Sequence, residues 1–417
     1  MKYFEIRHGV MHIEDIPLPD IAQRFGTPCY VYSRAALLAA ANEYLQVFAG
    51  QNALICYAVK ANSNLAVLNQ FAKLGLGFDI VSGGELARVL VAGGDPTKIV
   101  FSGVGKTEAE IEAALRAGIK CFNVESAAEL ETLAAVAARL EKVAPISFRV
   151  NPDVDAKTHP YISTGLKENK FGIPLQDARA IYQRAQRLSS LRIVGIDMHI
   201  GSQITEITPF REAAQKLLQL VDALYKDGIN LEHIDIGGGL GVRYRDENEP
   251  SVAEFAAMCR EIFAARRTQL LLEPGRRLVA YAGILLTRLL YLKTGETHDF
   301  AITDAAMNDL MRPALYQAWH PIEKVETRVT DDTITRAWNI VGPVCESSDF
   351  FAHKRTMALR QGELLVIGAA GAYGMTMSSN YNSRPRICEI MVDGKTATIV
   401  RARENIDALF AGEFVLS

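Results

Sequence analysis

Lys60 closes the apolar run Ile55-Cys56-Tyr57-Ala58-Val59, so an amine stands where the chain leaves what reads as a buried strand. An ammonium beside a core costs several kcal/mol unless it is paired, neutralised or exposed. An amine in such a place either snorkels to solvent or bonds covalently to an aldehyde. Far downstream stand three more groups able to do chemistry. Gly237-Gly238-Gly239-Leu240-Gly241 is a run whose backbone N–H groups can approach an anion closely. Glu273-Pro274-Gly275-Arg276 offers a carboxylate, a flexible N–H and a guanidinium within four residues. His199 supplies a flat ring, followed by the hydroxyl of Ser202. Each has a plain reading by itself: tight turns use glycine, Glu273 and Arg276 make a salt bridge, and His199 is a satisfied structural histidine.

These residues need elements to bring them together. From 53 to 276 strand-like runs alternate with helix-like runs, at first with a period of about 22 residues, as parallel strands with helical crossovers do. The strand candidates are Ala53–Lys60, Gly77–Ser82, Ile99–Val104, Cys121–Glu125, Ile146–Asn151, Arg192–Ile200, His233–Gly239 and Gln269–Glu273. Capping-box spacing marks helix starts at Thr107/Glu110, Ser126/Glu129 and Ser251/Glu254, and glycines 75, 93, 118 and 228 mark helix ends. Eight such units suit a (β/α)8 barrel, while a doubly wound open sheet has similar content. The polar residues favour the barrel. Lys60, Asp79, Ser82, Asn123, Glu125, Arg149, Asn151, His199, Ser202, the glycine run and Glu273 all fall near carboxyl ends of strands, which only a barrel gathers at one mouth.

After Gly283 the texture turns to short β-branched and alternating runs with turns at Gly362 and Asp393-Gly394, which predicts an antiparallel β domain, a sandwich or small barrel. The barrel is expected over 28–282, and the β domain over 1–27 with 283–417. The run from Pro28 to Tyr32 is itself strand-like and able to join the β domain.

At 417 residues, 49% hydrophobic and 22% charged, the chain has room for two domains and an ordinary soluble composition. A net charge of −3 with scattered Lys and Arg gives no basic field for nucleic acid, which points to a small-molecule partner. The opening residues lack the apolar core of a signal peptide. The apolar run Leu278–Thr287 is far shorter than the roughly 20 residues that span a bilayer. Six scattered cysteines without Cys-x-x-Cys spacing suit a reducing cytoplasm, and no metal site is expected. Five of the six read as small core hydrophobes; Cys345 is the exception.

A lysine, a phosphate cradle, a carboxylate and an imidazole at one mouth suit pyridoxal 5'-phosphate. Glu273 would keep the pyridine nitrogen protonated and His199 would cover a ring face. The segments Tyr57 to Asn62, Asp79 to Glu85, His199 to Gln203, the glycine run and Glu273 to Arg276 resemble the fold type III pyridoxal phosphate decarboxylases, whose alanine-racemase-like barrel carries a β domain. The resemblance runs over nearly the whole chain, in family order. It implies that Lys60 is the Schiff-base lysine and that Asp79, His199, Ser202, Gly238, Gly239, Glu273, Gly275, Arg276 and Tyr373 surround the cofactor. It also implies that Cys345 returns a proton to the substrate carbon from the neighbouring subunit of a head-to-tail homodimer.

Within that family, Gly342 to Asp349, Gly371 to Met375, Ser378 to Arg386, and Thr158 to Gly165 with Phe171-Gly172 resemble members whose substrate ends in a second amino acid. Arg276, Arg312 and Tyr316 would grip its far carboxylate, Glu346 its ammonium, and Tyr373 the cofactor or substrate. Ornithine decarboxylases usually carry aspartate where this chain has Glu346. A decarboxylase acting on ornithine, lysine, arginine or carboxynorspermidine is the alternative, and a non-catalytic homologue a more distant one.

Overall fold

A computed structural model describes residues 3–155, 170–327 and 334–416. The chain divides into a barrel unit, residues 40–243 with 247–277, and a sheet unit, residues 1–39, 244–246 and 278–417.

The eight barrel strands are Ala53–Ala58, Gly77–Ile80, Ile99–Phe101, Cys121–Val124, Ala144–Asn151, Leu191–Asp197, His233–Asp235 and Gln269–Leu272. Every neighbouring pair is parallel, and the eighth strand pairs with the first through Leu270 and Ala53, so the sheet closes. The doubly wound open sheet is thereby excluded for this unit. Strands such as Gly77–Ile80, Ile99–Phe101 and Cys121–Val124 are buried at every residue, which is why they read as unbroken apolar runs. The fifth strand ends at Asn151 as expected, and the others stop earlier than the sequence predicts. The first ends at Ala58 rather than Lys60, and the seventh at Asp235 rather than Gly239, because the chain turns at Val59–Ala61 and at Gly237 (φ +70).

Helix signals hold with one change. Thr107/Glu110 and Ser251/Glu254 form reciprocal capping boxes. Ser126 does cap Glu129 N–H, but the Glu129 carboxylate accepts from Glu125 N–H and from buried Lys106 at 2.7 Å instead of from the cap. Gly75, Gly93, Gly118 and Gly228 all have positive φ at helix ends, as expected.

The barrel floor is filled by an exchange of side chains between adjacent strands. Gly195 lacks a side chain where His233 needs room: a Cβ there would sit 2.1 Å from His233 Nε2. Burial pushes the His233 imidazole down to about 3, so it packs as a neutral ring beside Cys121.

In the sheet unit, Gly283–Lys293 is the central strand, flanked by Asp299–Thr303, Leu364–Ile367 and Cys29–Ser33. The sheet is mixed rather than antiparallel. Asp299–Thr303 pairs parallel with Thr335–Val341, and Cys29–Ser33 pairs parallel with Cys388–Asp393. These pairings join segments remote in sequence, which local alternation does not report. Because Cys29–Ser33 lies in this sheet, the chain enters the barrel unit at Ala40 and not at residue 28. Val31, Ile284, Leu286, Val366, Ile390 and Val392 form its core with Ile13 and Leu18 from the amino-terminal segment. Each such burial contributes about 1.5–3 kcal/mol. Cys345 is exposed, and the other five cysteines are buried.

Candidate active site at the barrel mouth

The turn Val59–Ala61 fixes Lys60, because its flanking residues Val59 and Ala61 are buried and leave only the lysine pointing out of the core. Lys60 Nζ donates to Asp79 Oδ2 at 2.9 Å. Asp79 is the register partner of Ala58 on the second strand and is wholly buried, whereas the lysine side chain is 36% exposed. Asp79 therefore draws the amine to one place while leaving it reachable. Its other oxygen, Oδ1, has no protein partner.

Across the mouth, the glycine run lies against the strand-eight loop. A Cβ on Gly238 would fall 2.0 Å from the carbonyl oxygen of Glu273, and one on Gly239 (φ +112) 2.2 Å from that of Gly201. Only glycine fits at either position. Gly238 N–H donates to His199 Nδ1 at 3.2 Å, which assigns the ring hydrogen of a neutral His199 to Nε2. Burial, then the charges of Arg149 and Lys60, pushes this imidazole well below its ordinary value, so it stays a neutral flat ring. Arg276 donates to Ser202 Oγ at 2.9 Å, and a Cβ on Gly275 would sit 3.1 Å and 3.2 Å from those of Ala58 and Ala61.

Glu273 follows the eighth strand directly, and its N–H donates to Gly237 oxygen at 2.9 Å. The carboxyl is 5% exposed, and its Oε1 has no protein partner. Burial first, then the neighbouring acids Asp235, Asp79 and Asp197, pushes it well up, with Lys60 opposing. A buried acid with an open oxygen suits a ring N–H, the glycine loops suit a phosphate, and the amine suits an aldehyde. The residues fit pyridoxal phosphate.

Asp197 and Asp235 lie deeper and were not singled out from the sequence. They are register partners on adjacent strands, and one oxygen of each lies within 4.8 Å of the other and of a Glu273 oxygen. Two carboxylates at such a separation repel by about 3.5 kcal/mol at an effective dielectric near 20. A signal was present: an acid stands two residues before His199 and again two before Gly237. The sequence marks Arg149 and Glu125 only as strand-end groups. Glu125 accepts from Gly103 and Gly172 N–H and pairs with Arg149 at 3.3 Å, tying three loops together. Arg149 also lies over the Phe171 ring at 4.7 Å.

Lys60, Asp79, His199, Ser202, Gly238, Gly239, Glu273, Gly275 and Arg276 thus share the barrel unit, at the carboxyl ends of its strands. The other expected residues belong to the sheet unit. Arg312 is buried, donates to His320 Nε2 at 2.7 Å and lies 4.4 Å over the Tyr244 ring. Since arginine only donates, His320 carries its hydrogen on Nδ1, which faces Gly368 oxygen at 2.8 Å. Tyr316 ends the short helix that Arg312 begins. The exposed Cys345 is held through its N–H by Asn382 Oδ1 at 2.7 Å, and Glu346 accepts from Tyr381 hydroxyl at 3.4 Å. Asp349 anchors this loop by accepting from Val344 and Met307 N–H. Tyr373 has a φ of +55 between Ala372 and Gly374. The segment Thr158 to Gly165 lies outside the described residues.

Residues 34–280 match the family described as pyridoxal-dependent decarboxylase, pyridoxal binding domain. The chain belongs to the pyridoxal-dependent decarboxylases. More narrowly, it is 56% identical to the diaminopimelate decarboxylase of Pseudomonas aeruginosa over 416 residues, covering 100% of both chains. It is also 56% identical to that of Neisseria meningitidis serogroup B over 96% of each. The crystal structure of diaminopimelate decarboxylase from Helicobacter pylori complexed with L-lysine matches with a TM-score of 0.90 at 42% identity, covering 94% of this chain and 98% of that one. No helix among the described residues is long and apolar enough to cross a membrane.

Proposed function

We propose that this chain removes carbon dioxide from meso-2,6-diaminopimelate and leaves L-lysine, the last step of lysine formation, using pyridoxal 5'-phosphate. The observation that carries this reading is the barrel mouth, where an amine held by a buried acid shares one rim with a glycine cradle and the open carboxyl oxygen of Glu273. The ligand in the similar H. pylori structure is L-lysine, the expected product.

When bound, the cofactor supplies an electron sink for the pair left on the α-carbon as carbon dioxide departs. The chain's residues do the rest. Lys60 would hold the cofactor through its aldehyde, and Asp79 would keep the lysine amine in place. Gly238, Gly239, Gly275, Arg276 and Ser202 hold the phosphate. His199 would lie against the ring without adding charge, and Glu273 would hold the proton of the ring nitrogen.

Cys345, offered by the second copy of a homodimer, gives its thiol proton to the α-carbon, replacing the bond that broke. Arg276, Arg312 and Tyr316 bind the far carboxylate, Glu346 binds the far ammonium, and Tyr373 lies against cofactor or substrate. The cytoplasm is the compartment this reading assigns.

Carbon dioxide release measured across diaminopimelate, ornithine, lysine and arginine tests the assignment. Turnover confined to diaminopimelate is expected; a preference for any substrate lacking a far carboxylate overturns it.

A further inference from the structure

Behind Glu273 the barrel encloses two acids that the chemistry above leaves unused. Asp197, Asp235 and Glu273 are 1%, 0% and 5% exposed, and one oxygen from each lies within 4.8 Å of one from both others. Asp197 Oδ1, Asp235 Oδ2 and Glu273 Oε1 have no protein partner, while Asp235 Oδ1 accepts from Gly237 N–H at 2.8 Å. The triad therefore connects directly to the glycine loop.

The charged groups packed around it do not neutralise it. Lys60 is engaged with Asp79 and Arg149 with Glu125, each pair already balanced. The remaining titratable neighbours are the thiols of Cys56 and Cys121, both pushed up by burial and by these acids, the buried phenol of Tyr182 beside Asp197, and Lys120 and His233 toward the floor. Three ionised carboxyls would leave three negative charges in a closed interior without a counter-ion. Like-charge carboxyls in one site resolve this by retaining a proton. Burial accordingly pushes all three up, Asp235 to about 7.

We propose that Asp197, Asp235 and Glu273 hold at least one proton in common at neutral pH, and that Asp235 is a positioning residue that keeps this proton on Glu273, where a bound ring nitrogen can share it. The purpose of the shared proton rests on the cofactor reading; its existence does not. By raising the hold of Glu273 on a proton, the two deeper acids keep the ring nitrogen protonated through turnover. They act without touching cofactor or substrate.

Infrared spectra of the full chain, freed of pyridoxal phosphate and then reloaded with it, follow the C=O stretch of protonated carboxylic acids as pH is raised. A band persisting at neutral pH in the cofactor-free chain is expected. Asp235→Asn keeps an oxygen for Gly237 N–H while deleting the charge, and it lowers the midpoint of the remaining band by about one pH unit or more, the size of a like-charge effect. Asp197→Asn shifts it in the same direction and serves where the first variant fails to fold. The number of protons exchanged on reloading also changes in Asp235→Asn. A wild-type chain without the band at neutral pH, or variants with unchanged midpoints, overturns the proposal. A persistent band in a chain that does not take up pyridoxal phosphate supports the shared proton and sinks only the cofactor reading.

Discussion

Asp79 in the barrel unit and Asp349 in the sheet unit are both buried acids, 0% and 3% exposed, yet they are used in opposite ways. Both oxygens of Asp349 accept backbone N–H groups, from Met307 and Val344, and a Cβ on Gly342 would crowd the same carboxylate at 2.5 Å. Asp79 gives one oxygen to Lys60 and leaves the other without a partner. A fully satisfied buried acid holds a loop in shape. One left half-satisfied at a barrel mouth stores interaction capacity for a ligand. The same contrast runs through the units: Cys345 is positioned by backbone ties, whereas Glu273 keeps an open oxygen.

The contrast breaks most visibly at Lys60. Lys60→Ala is expected to abolish the visible absorbance of bound cofactor and to lower turnover roughly a thousandfold or more; retention of the band ends the assignment of the barrel mouth. At the other pole, Asp349→Asn loses one charge-assisted acceptor, which costs about 1–3 kcal/mol of stability and loosens the Cys345 loop. Thermal unfolding and steady-state kinetics should show a lower midpoint and a turnover reduced about tenfold, a rough figure for one loop anchor. The cofactor band should be unchanged, and its loss would mean that Asp349 is not merely a loop anchor.

The smallest effect is a pH dependence. Burial first, and then the charge of Asp79, pushes Asp235 from its ordinary value near 3.8 up to about 7, with the Gly237 N–H, Glu273 and Lys60 opposing. Between those values the folded chain binds more protons than the unfolded one, so stability falls as pH rises from about 4 to 7. Asp235→Asn removes part of that loss. Unfolding midpoints of the cofactor-free variant and wild type should converge near pH 4 and separate, variant higher, by about pH 8. A constant difference across the range would show that the acid is already ionised.

Much of the barrel was legible because a strand buried on both faces is an unbroken apolar run, and because the polar residues interrupting those runs mark strand ends. Lys60, His199, Gly238 and Glu273 were found that way. Local pattern could not report register, which puts Asp197 beside Asp235, although both lie inside runs read as strands. The parallel pairing of Cys29–Ser33 with Cys388–Asp393 joins segments more than 350 residues apart and leaves no periodic trace. The alternation after Gly283 correctly indicated strands, but alternation says nothing of direction.

The fit between Gly195 and His233 has a consequence for how this sequence can drift. Alanine at 195 would drive a methyl group into the imidazole, and a smaller residue at 233 would leave a hole in the barrel floor. Neither position has a good single step. The two can be exchanged only as a coordinated pair, so relatives that differ here should differ at both, with the ring lent by one strand or the other.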